Sequence, residues 1–356
     1  MLPAQPRAIA AQAAMVLVAV LLVIWAWRAD LRWFERHVYP GYCAVSHGQT
    51  VWPTVARIAA LVLAALLLFF IRPRLARWAA RARAFDLVAV AVAVAASLLV
   101  CDLFLRHRPA ADRTPLERDD MPRAVADARV GWRFRPSQTV TVTAGGGRVQ
   151  YAVDAAGNRA RSAGERIDPD RPTIVIAGES IAFGESLAWD DTFAAHLAAD
   201  LDVQVVDTGV PAYGSEQAFR RAEEALAGLH RPVALVTVFI PQVIRRNGRE
   251  EGLGLARLWR DEPYHADRAL AVTRERVAAT VRLARQRGAA PLFVVTNFGP
   301  DCSEDAWVLT EIFAVQEVPF VRVTLGPGDT ISPRDLHPNA RGARKLANAI
   351  EAALPR

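Results

Sequence analysis

The sequence predicts an α/β fold, a parallel sheet covered by helices on both faces and preceded by three transmembrane helices, and two patterns carry that expectation. Between residues 173 and 354, five short apolar runs alternate with amphipathic segments of helical length, as successive βα units do. In the first third, apolar stretches at about residues 8–27, 51–71 and 85–105 each approach the roughly 20 residues that a helix needs to cross a bilayer.

Residues 1–106 read as a membrane anchor. Arg7 precedes the first apolar core as in a signal peptide, but Trp25-Ala26-Trp27-Arg28 is bulky where a small-residue cleavage site would fall, so the helix is expected to be retained. Trp25, Trp27, Trp33, Tyr39, Tyr42 and Trp52 gather around the first connection like an interfacial belt. Val88-Ala89-Val90-Ala91-Val92 alternates like a strand, yet the length of its stretch and the lack of a turn residue favour a helix. Arg57, Asp86 and Asp102 lie near ends, within reach of the interface. The second connection carries Arg72, Arg74, Arg77, Arg81 and Arg83 without an acid, which places it in the cytoplasm. Arg106, Arg108 and Arg113 follow the third helix, but large domains translocate largely regardless of flanking charge. The expected topology is thus a multi-pass protein of the inner (plasma) membrane whose larger domain is periplasmic. Residues 107–130, rich in Arg, Asp and Pro, read as a linker.

From residue 131 the pattern changes. Segments 138–143 and 148–153 alternate around Ala144-Gly145-Gly146-Gly147 and predict a β-hairpin ahead of the main domain. Strands are expected at 173–177, 203–206, 233–239, 291–296 and 318–323, and helices at 191–200, 215–229, 265–287, 304–316 and 340–354. In the last helix Leu346, Ile350 and Leu354 recur at intervals of four behind the capping residue Asn339. The segment 248–263 follows the third strand, in the place of a lid.

Composition excludes several functions. The 356 residues carry a formal charge of +6, almost all from arginine, because Lys345 is the sole lysine; no P-loop or Schiff-base lysine is available elsewhere. The arginines are dispersed without aromatic interleaving, so no nucleic-acid partner is expected. Cys43, Cys101 and Cys302 form no C-x-x-C pair and indicate neither a zinc site nor a disulfide framework. His196, His230 and His265 lack clustered partners; no metal and no cofactor are expected. Nothing in the sequence sets the oligomeric state.

The chemistry gathers where open α/β sheets bind ligands, at the carboxyl ends of the strands. Ser180 lies just past the run 173–177 and is the candidate nucleophile. Asp335-Leu336-His337-Pro338-Asn339 precedes the last helix and offers a base with an acid beside it. The loops 207–214 and 240–247 fall on the same rim and supply donors for an oxyanion. Gly178-Glu179-Ser180-Ile181-Ala182 lacks the second glycine of a G-x-S-x-G elbow, which argues against an α/β-hydrolase.

With these motifs, residues 131–356 resemble the SGNH/GDSL hydrolase superfamily, in particular its exported, membrane-anchored bacterial members. Gly178-Glu179-Ser180 corresponds to the Gly-Asp-Ser block, followed by Phe183-Gly184 and Thr192-Phe193; Gly209 to Gln217 resembles the second block and Asp335 to Asn339 the last. The segment ending Gly157-Asn158-Arg159 resembles the region before the first block. The resemblance implies a flavodoxin-like three-layer α/β/α sandwich with a parallel sheet. It also implies Ser180 as nucleophile, His337 as base, Asp335 as orienter, and the amides of Ser180 and Ala212 as part of an oxyanion hole, to which Gln242 could add its carboxamide from one methylene further out than the usual Asn. Three positions depart from the pattern. Glu179 replaces Asp, with a small expected effect; Ala212 stands where glycine is usual; and Pro241-Gln242 or, shifted by one, Gln242-Val243 replaces the Asn-Asp of the third block. Three functions remain open at this level: an esterase acting on an ester-bearing small molecule or acylated glycan, an O-acyltransferase modifying an envelope polysaccharide, and a catalytically impaired glycan-binding or assembly protein. With histidine as base, ester turnover is expected to rise through about pH 6 to 8.

Overall fold

The computed structural model describes residues 4–31, 33–34, 47–81, 92, 96, 119–247, 266–297, 309–314, 318–333 and 335–355. Outside them lie the third expected span apart from Val92 and Ala96, residues 107–118 of the linker, the three cysteines, His265, the segment 248–263, and both flanks of the helix expected at 304–316. The chain divides into two compact units.

The first unit is helical. Helix α1 (Ala4–Arg28) is followed by α2 (His47–Leu66), which runs through a π-helical turn at Leu67–Ile71 into α3 (Arg72–Arg81). Two spans here, Ala8–Arg28 and Val51–Arg81, are long and apolar enough to cross a membrane, so among the described residues two of the three expected spans are present. Leu17, Leu21 and Ile24 of α1 and Ile58, Val62 and Phe69 of the second span point outward. Such a surface suits lipid better than water. Arg57 donates from Nε to the Ala26 carbonyl at 2.6 Å, which occupies its charge at the end of α1. The arginines read as a loop, Arg72 to Arg81, continue the second helix instead.

The second unit is built on an eight-stranded sheet. Its strands are β3 (Gln138–Ala144), β4 (Gly147–Val153), β5 (Arg159–Ala160), β6 (Thr173–Ala177), β7 (Gln204–Asp207), β8 (Pro232–Phe239), β9 (Ala290–Thr296) and β10 (Phe320–Val323), in the order β10-β9-β8-β6-β7-β5-β4-β3. The expected parallel sheet is present from β10 to β7. The sheet as a whole is mixed, however, because β5, β4 and β3 are antiparallel. Sequence alternation reveals a hairpin but not what its edge pairs with. Here β5 bonds to β7 through Arg159 and Asp207, so the hairpin extends the main sheet rather than preceding it. Its two-residue turn has Gly145 and Gly146 at φ 59° and 80°, the type I′ geometry that allows only antiparallel strands. A separate pair, β1 (Ala124–Asp127) with β2 (Gly131–Phe134), begins inside the stretch read as linker.

Period-two alternation decides the layers. Ile174 and Ile176 of β6 share a core with Phe193 and Leu197 of α5 (Phe193–Asp200) and with Leu346 and Ile350 of α9 (Ala340–Ala353). Val175 and Ala177 join Ala218, Ala222 and Leu226 of α6 (Ser215–Ala227) and Leu283 and Ala284 of α8 (Ala266–Gln286). A third cluster lies under the hairpin, where Trp132, Phe134, Tyr151, Phe183 and Tyr213 pack together. The expected helix 304–316 is represented by a π-helical turn at Leu309–Ala314. Strand β6 lies between β7 and β8, so the chain leaves it in one direction and returns past it in the other. Its carboxyl end is the switch point at which such sheets form a crevice.

Candidate active site

Ser180 stands at that switch point. Strand β6 ends at Ala177, Gly178 turns the chain, and Ser180 opens the short helix α4 (Ser180–Phe183). Gly178 has φ +151°, and a Cβ there would lie 2.9 Å from Ala182 Cβ and 3.2 Å from Val238, so only glycine fits the turn. Gly209, after β7, is packed more tightly still: a Cβ would meet the Phe183 amide at 2.5 Å. This holds the second loop against the helix of the serine, helped by the Val210 amide donating to the Gly178 carbonyl at 3.4 Å.

His337 arrives from the far end of the chain on a loop braced by its own backbone. Thr330 and Pro338 form an isolated β-bridge, the Ile331 amide donates to the His337 carbonyl at 2.9 Å, and the Asn339 amide donates to the Asp329 carbonyl at 2.9 Å. Asn339 caps α9 as expected, accepting from the Gly342 amide at 3.0 Å, while its Nδ2 donates to the carbonyls of Gly328 and Thr330. Asp329 anchors the loop to α9 through Arg341 and Lys345. The Gly326 amide, together with these two cations, holds its carboxyl down at about 2.

These elements bring three of the sequence-derived residues into contact. His337 Nε2 lies 2.9 Å from Ser180 Oγ, and His337 Nδ1 lies 2.6 Å from Asp335 Oδ1. Asp335 Oδ1 also accepts from the His337 amide at 3.2 Å, and its Oδ2 accepts from the Ser186 hydroxyl at 3.2 Å. Burial alone would raise the Asp335 carboxyl, but its bonds from His337 and Ser186 keep it below the usual carboxylate range. Burial alone would lower His337. The Asp335 hydrogen bond and the charges of Glu185, Glu179 and Asp335 outweigh it and hold the imidazole above the usual histidine range.

Ala212 and Gln242 lie on the same rim, Ala212 in the loop after β7 and Gln242 at the first position of α7 (Gln242–Asn247), just past β8. Ala212 adopts φ +69°, the left-handed conformation that glycine takes without cost and that a Cβ strains. Its amide donates no hydrogen bond among the described residues.

Four residues around the serine were not legible as functional. Glu179, read as a near-neutral replacement, is buried, accepts from the Ile181 amide at 3.1 Å through Oε1, and accepts the Ser180 hydroxyl through Oε2. Glu185 is buried with Oε2 3.6 Å from His337 Nε2. Arg246 donates to the Tyr213 carbonyl at 2.9 Å and stands 3.8 Å from Glu179 Oε2. Ser186 links the site to the hairpin, because its amide donates to the Tyr151 hydroxyl at 2.9 Å while its own hydroxyl reaches Asp335. The sequence signal available was one acid beside the serine and another five positions on; only the fold turns both toward His337. Of the other histidines, His196 accepts from Arg344 and His230 pairs with Asp170, both away from Ser180.

No family model matches this chain, and no curated protein does. Among solved structures, the chain is similar to a member of the lipolytic protein G-D-S-L family from Veillonella parvula, with 13% identity over 52% of this chain and 98% of that one and a TM-score of 0.33. A GDSL-like lipase from Bacteroides thetaiotaomicron has 16% identity over 51% and 87%, with a TM-score of 0.33. An acetyl xylan esterase from Butyrivibrio proteoclasticus has 12% identity over 52% and 64%, with a TM-score of 0.38.

Proposed function

We propose that this protein is a membrane-anchored serine hydrolase acting on ester bonds, with Ser180 as nucleophile, His337 as general base and Asp335 as its orienting acid. One observation supports the reading above all others: a hydroxyl, an imidazole and a carboxylate, drawn from positions 157 residues apart, lie in hydrogen-bonded sequence at a sheet switch point. The order of contacts is the one acyl transfer needs.

In this mechanism Oγ attacks the ester carbonyl carbon as its proton passes to His337 Nε2. Asp335 keeps the other imidazole proton on Nδ1 and stabilises the imidazolium. The developing oxyanion faces the amides of Ser180 and Ala212 and the Gln242 carboxamide, and each well-placed donor is worth roughly 10² to 10³ in turnover. Collapse expels the alcohol, protonated by His337. A water molecule, deprotonated by the same nitrogen, then attacks the acyl-enzyme and releases the acid. Two apolar spans support anchoring in a bilayer. Arg72, Arg74, Arg77 and Arg81, at the end of the second span and without an acid, support a cytoplasmic end there. The further apolar stretch at 85–105 in the sequence would return the chain so that the larger unit is periplasmic.

The test is labelling of the full-length protein in detergent micelles by a fluorophosphonate probe, alongside Ser180→Ala and His337→Ala. Labelling that requires both side chains is expected, together with hydrolysis of a nitrophenyl ester. Undiminished labelling of Ser180→Ala, or none of the folded parent, overturns the proposal.

A further inference from the structure

Ser180 has one hydroxyl hydrogen and two neighbours that compete for it. When the Nδ1 proton of a neutral His337 points to Asp335, Nε2 carries a lone pair and can only accept. An ionised Glu179 can only accept as well, and its Oε2 is already bonded to Oγ. Both contacts are satisfied together when His337 carries a second proton, so that Nε2–H donates to Oγ and Oγ–H donates to Glu179. With an ionised Glu179, these two contacts fit a protonated base behind a serine turned away from it.

We propose that Glu179 is a positioning residue that holds the Ser180 hydroxyl in this resting orientation, and that attack requires the hydroxyl to turn from Glu179 Oε2 to His337 Nε2. The inference rests on the assignment of Ser180 and His337 made above. Glu179 is itself held firmly in place, because its second oxygen caps α4 at the Ile181 amide and the whole side chain is buried. A charge-assisted bond in such surroundings is roughly twice as strong as a neutral one. Once His337 has released its second proton to solvent, the hydroxyl turns to Nε2; in the attack that follows, the Oγ–H bond breaks as the Nε2–H bond forms, with no further proton gained or lost.

Several charged groups among the described residues face this pair. Asp335 lies on Nδ1, Glu185 stands 3.6 Å from Nε2, and Arg246 stands 3.8 Å from Glu179 Oε2 while bonded to the Tyr213 carbonyl. Glu179 and Glu185 both favour the protonated imidazole, in agreement with its upward displacement. Glu185 faces His337 Nε2 as a charge at 3.6 Å, whereas Glu179 accepts the Ser180 hydroxyl. That difference separates their variants.

The experiment measures fluorophosphonate labelling rates of the full-length protein from pH 5 to 9 for the parent, Glu179→Gln, Glu179→Asp and Glu185→Gln, with Ser180→Ala as control. The glutamine in Glu179→Gln keeps an acceptor for the Ile181 cap but can donate to Oγ, which frees the hydroxyl for a neutral His337. Its plateau rate is expected to rise on the order of fivefold and its acid limb to move down by roughly one pH unit. The shorter carboxylate in Glu179→Asp keeps the charge and loses the contact, so its plateau rises with a smaller displacement of the limb. Glu185→Gln moves the limb without raising the plateau. An unchanged or lower plateau in both folded Glu179 variants overturns the inference while leaving the serine assignment intact. Labelling that does not need Ser180 overturns the assignment itself.

Discussion

Replacing Asp335 by Asn separates charge from orientation at this site, and the structure sets which matters. In a serine-protease triad the corresponding amide imposes the wrong histidine tautomer, at a cost near 10⁴. Here the carboxylate is held from both sides. Oδ1 receives two donors, His337 Nδ1 at 2.6 Å and the His337 amide at 3.2 Å, and Oδ2 faces the Ser186 hydroxyl at 3.2 Å. The amide is therefore expected to keep its oxygen toward His337 and its NH₂ toward Ser186, whose hydroxyl turns to accept. The productive tautomer survives, and what is lost is the difference between a charge-assisted and a neutral hydrogen bond, about 1–2 kcal/mol, plus part of the stabilisation of the imidazolium. The expected loss in ester turnover at the plateau is roughly 10- to 100-fold. Because a negative charge leaves the side of His337, the acid limb also moves down. Steady-state hydrolysis of a nitrophenyl ester across pH 5 to 9 by the full-length protein measures both. A loss near 10⁴, or a limb that moves up, would refute the two-sided anchoring.

The parent's own profile follows from the same charges: since the base must be neutral and His337 is held above its usual range, half-maximal labelling should fall above about pH 6.5. A midpoint below that value would contradict the acidic surroundings of the imidazole. Gly209→Ala forces a Cβ to 2.5 Å from the Phe183 amide and should destabilise the larger unit by about 2–4 kcal/mol, read as a lowered unfolding midpoint. Asp329→Asn removes a carboxylate whose folded value is about 2, so its contribution is present above the ordinary carboxylate range and is lost as pH falls through 2. The variant's stability deficit at pH 7 should persist to about pH 4 and then shrink. Tyr151→Phe takes away the acceptor of the Ser186 amide and should cost about 1 kcal/mol, with a modest loss of turnover, because Ser186 also supports Asp335.

Much of the scaffold follows from local patterns. The strand beneath Ser180 has the same bounds in sequence and structure because Pro172 and Gly178 delimit a β-branched run. The last helix begins at Ala340, as the cap Asn339 requires. The role of β5 was not legible: a two-residue strand has no periodicity, and it pairs because Arg159 is buried among Tyr151, Phe183 and Trp189, opposite Asp207. Burial drives the Asp207 carboxyl up to about 8 against the bond from the Gly209 amide and the charge of Arg159, an arrangement that only the closed sheet creates. Ala212 reads in sequence as a departure from a glycine position, and the fold places it at φ +69°, a left-handed conformation that its residue type does not announce.

The sequence by itself determined the α/β alternation, the apolar spans, and the residue types and order of a serine, an acid and a histidine, because these rest on periodicity, caps and short motifs. Tertiary structure alone decided that the hairpin completes the sheet and braces Asp335 through Tyr151 and Ser186. It also decided that Glu179 and Glu185 converge on the serine and histidine, a matter of side-chain direction across elements far apart in the chain. Hydrogen-bond competition at Ser180 arises from that three-dimensional neighbourhood, and no spacing along the chain encodes it.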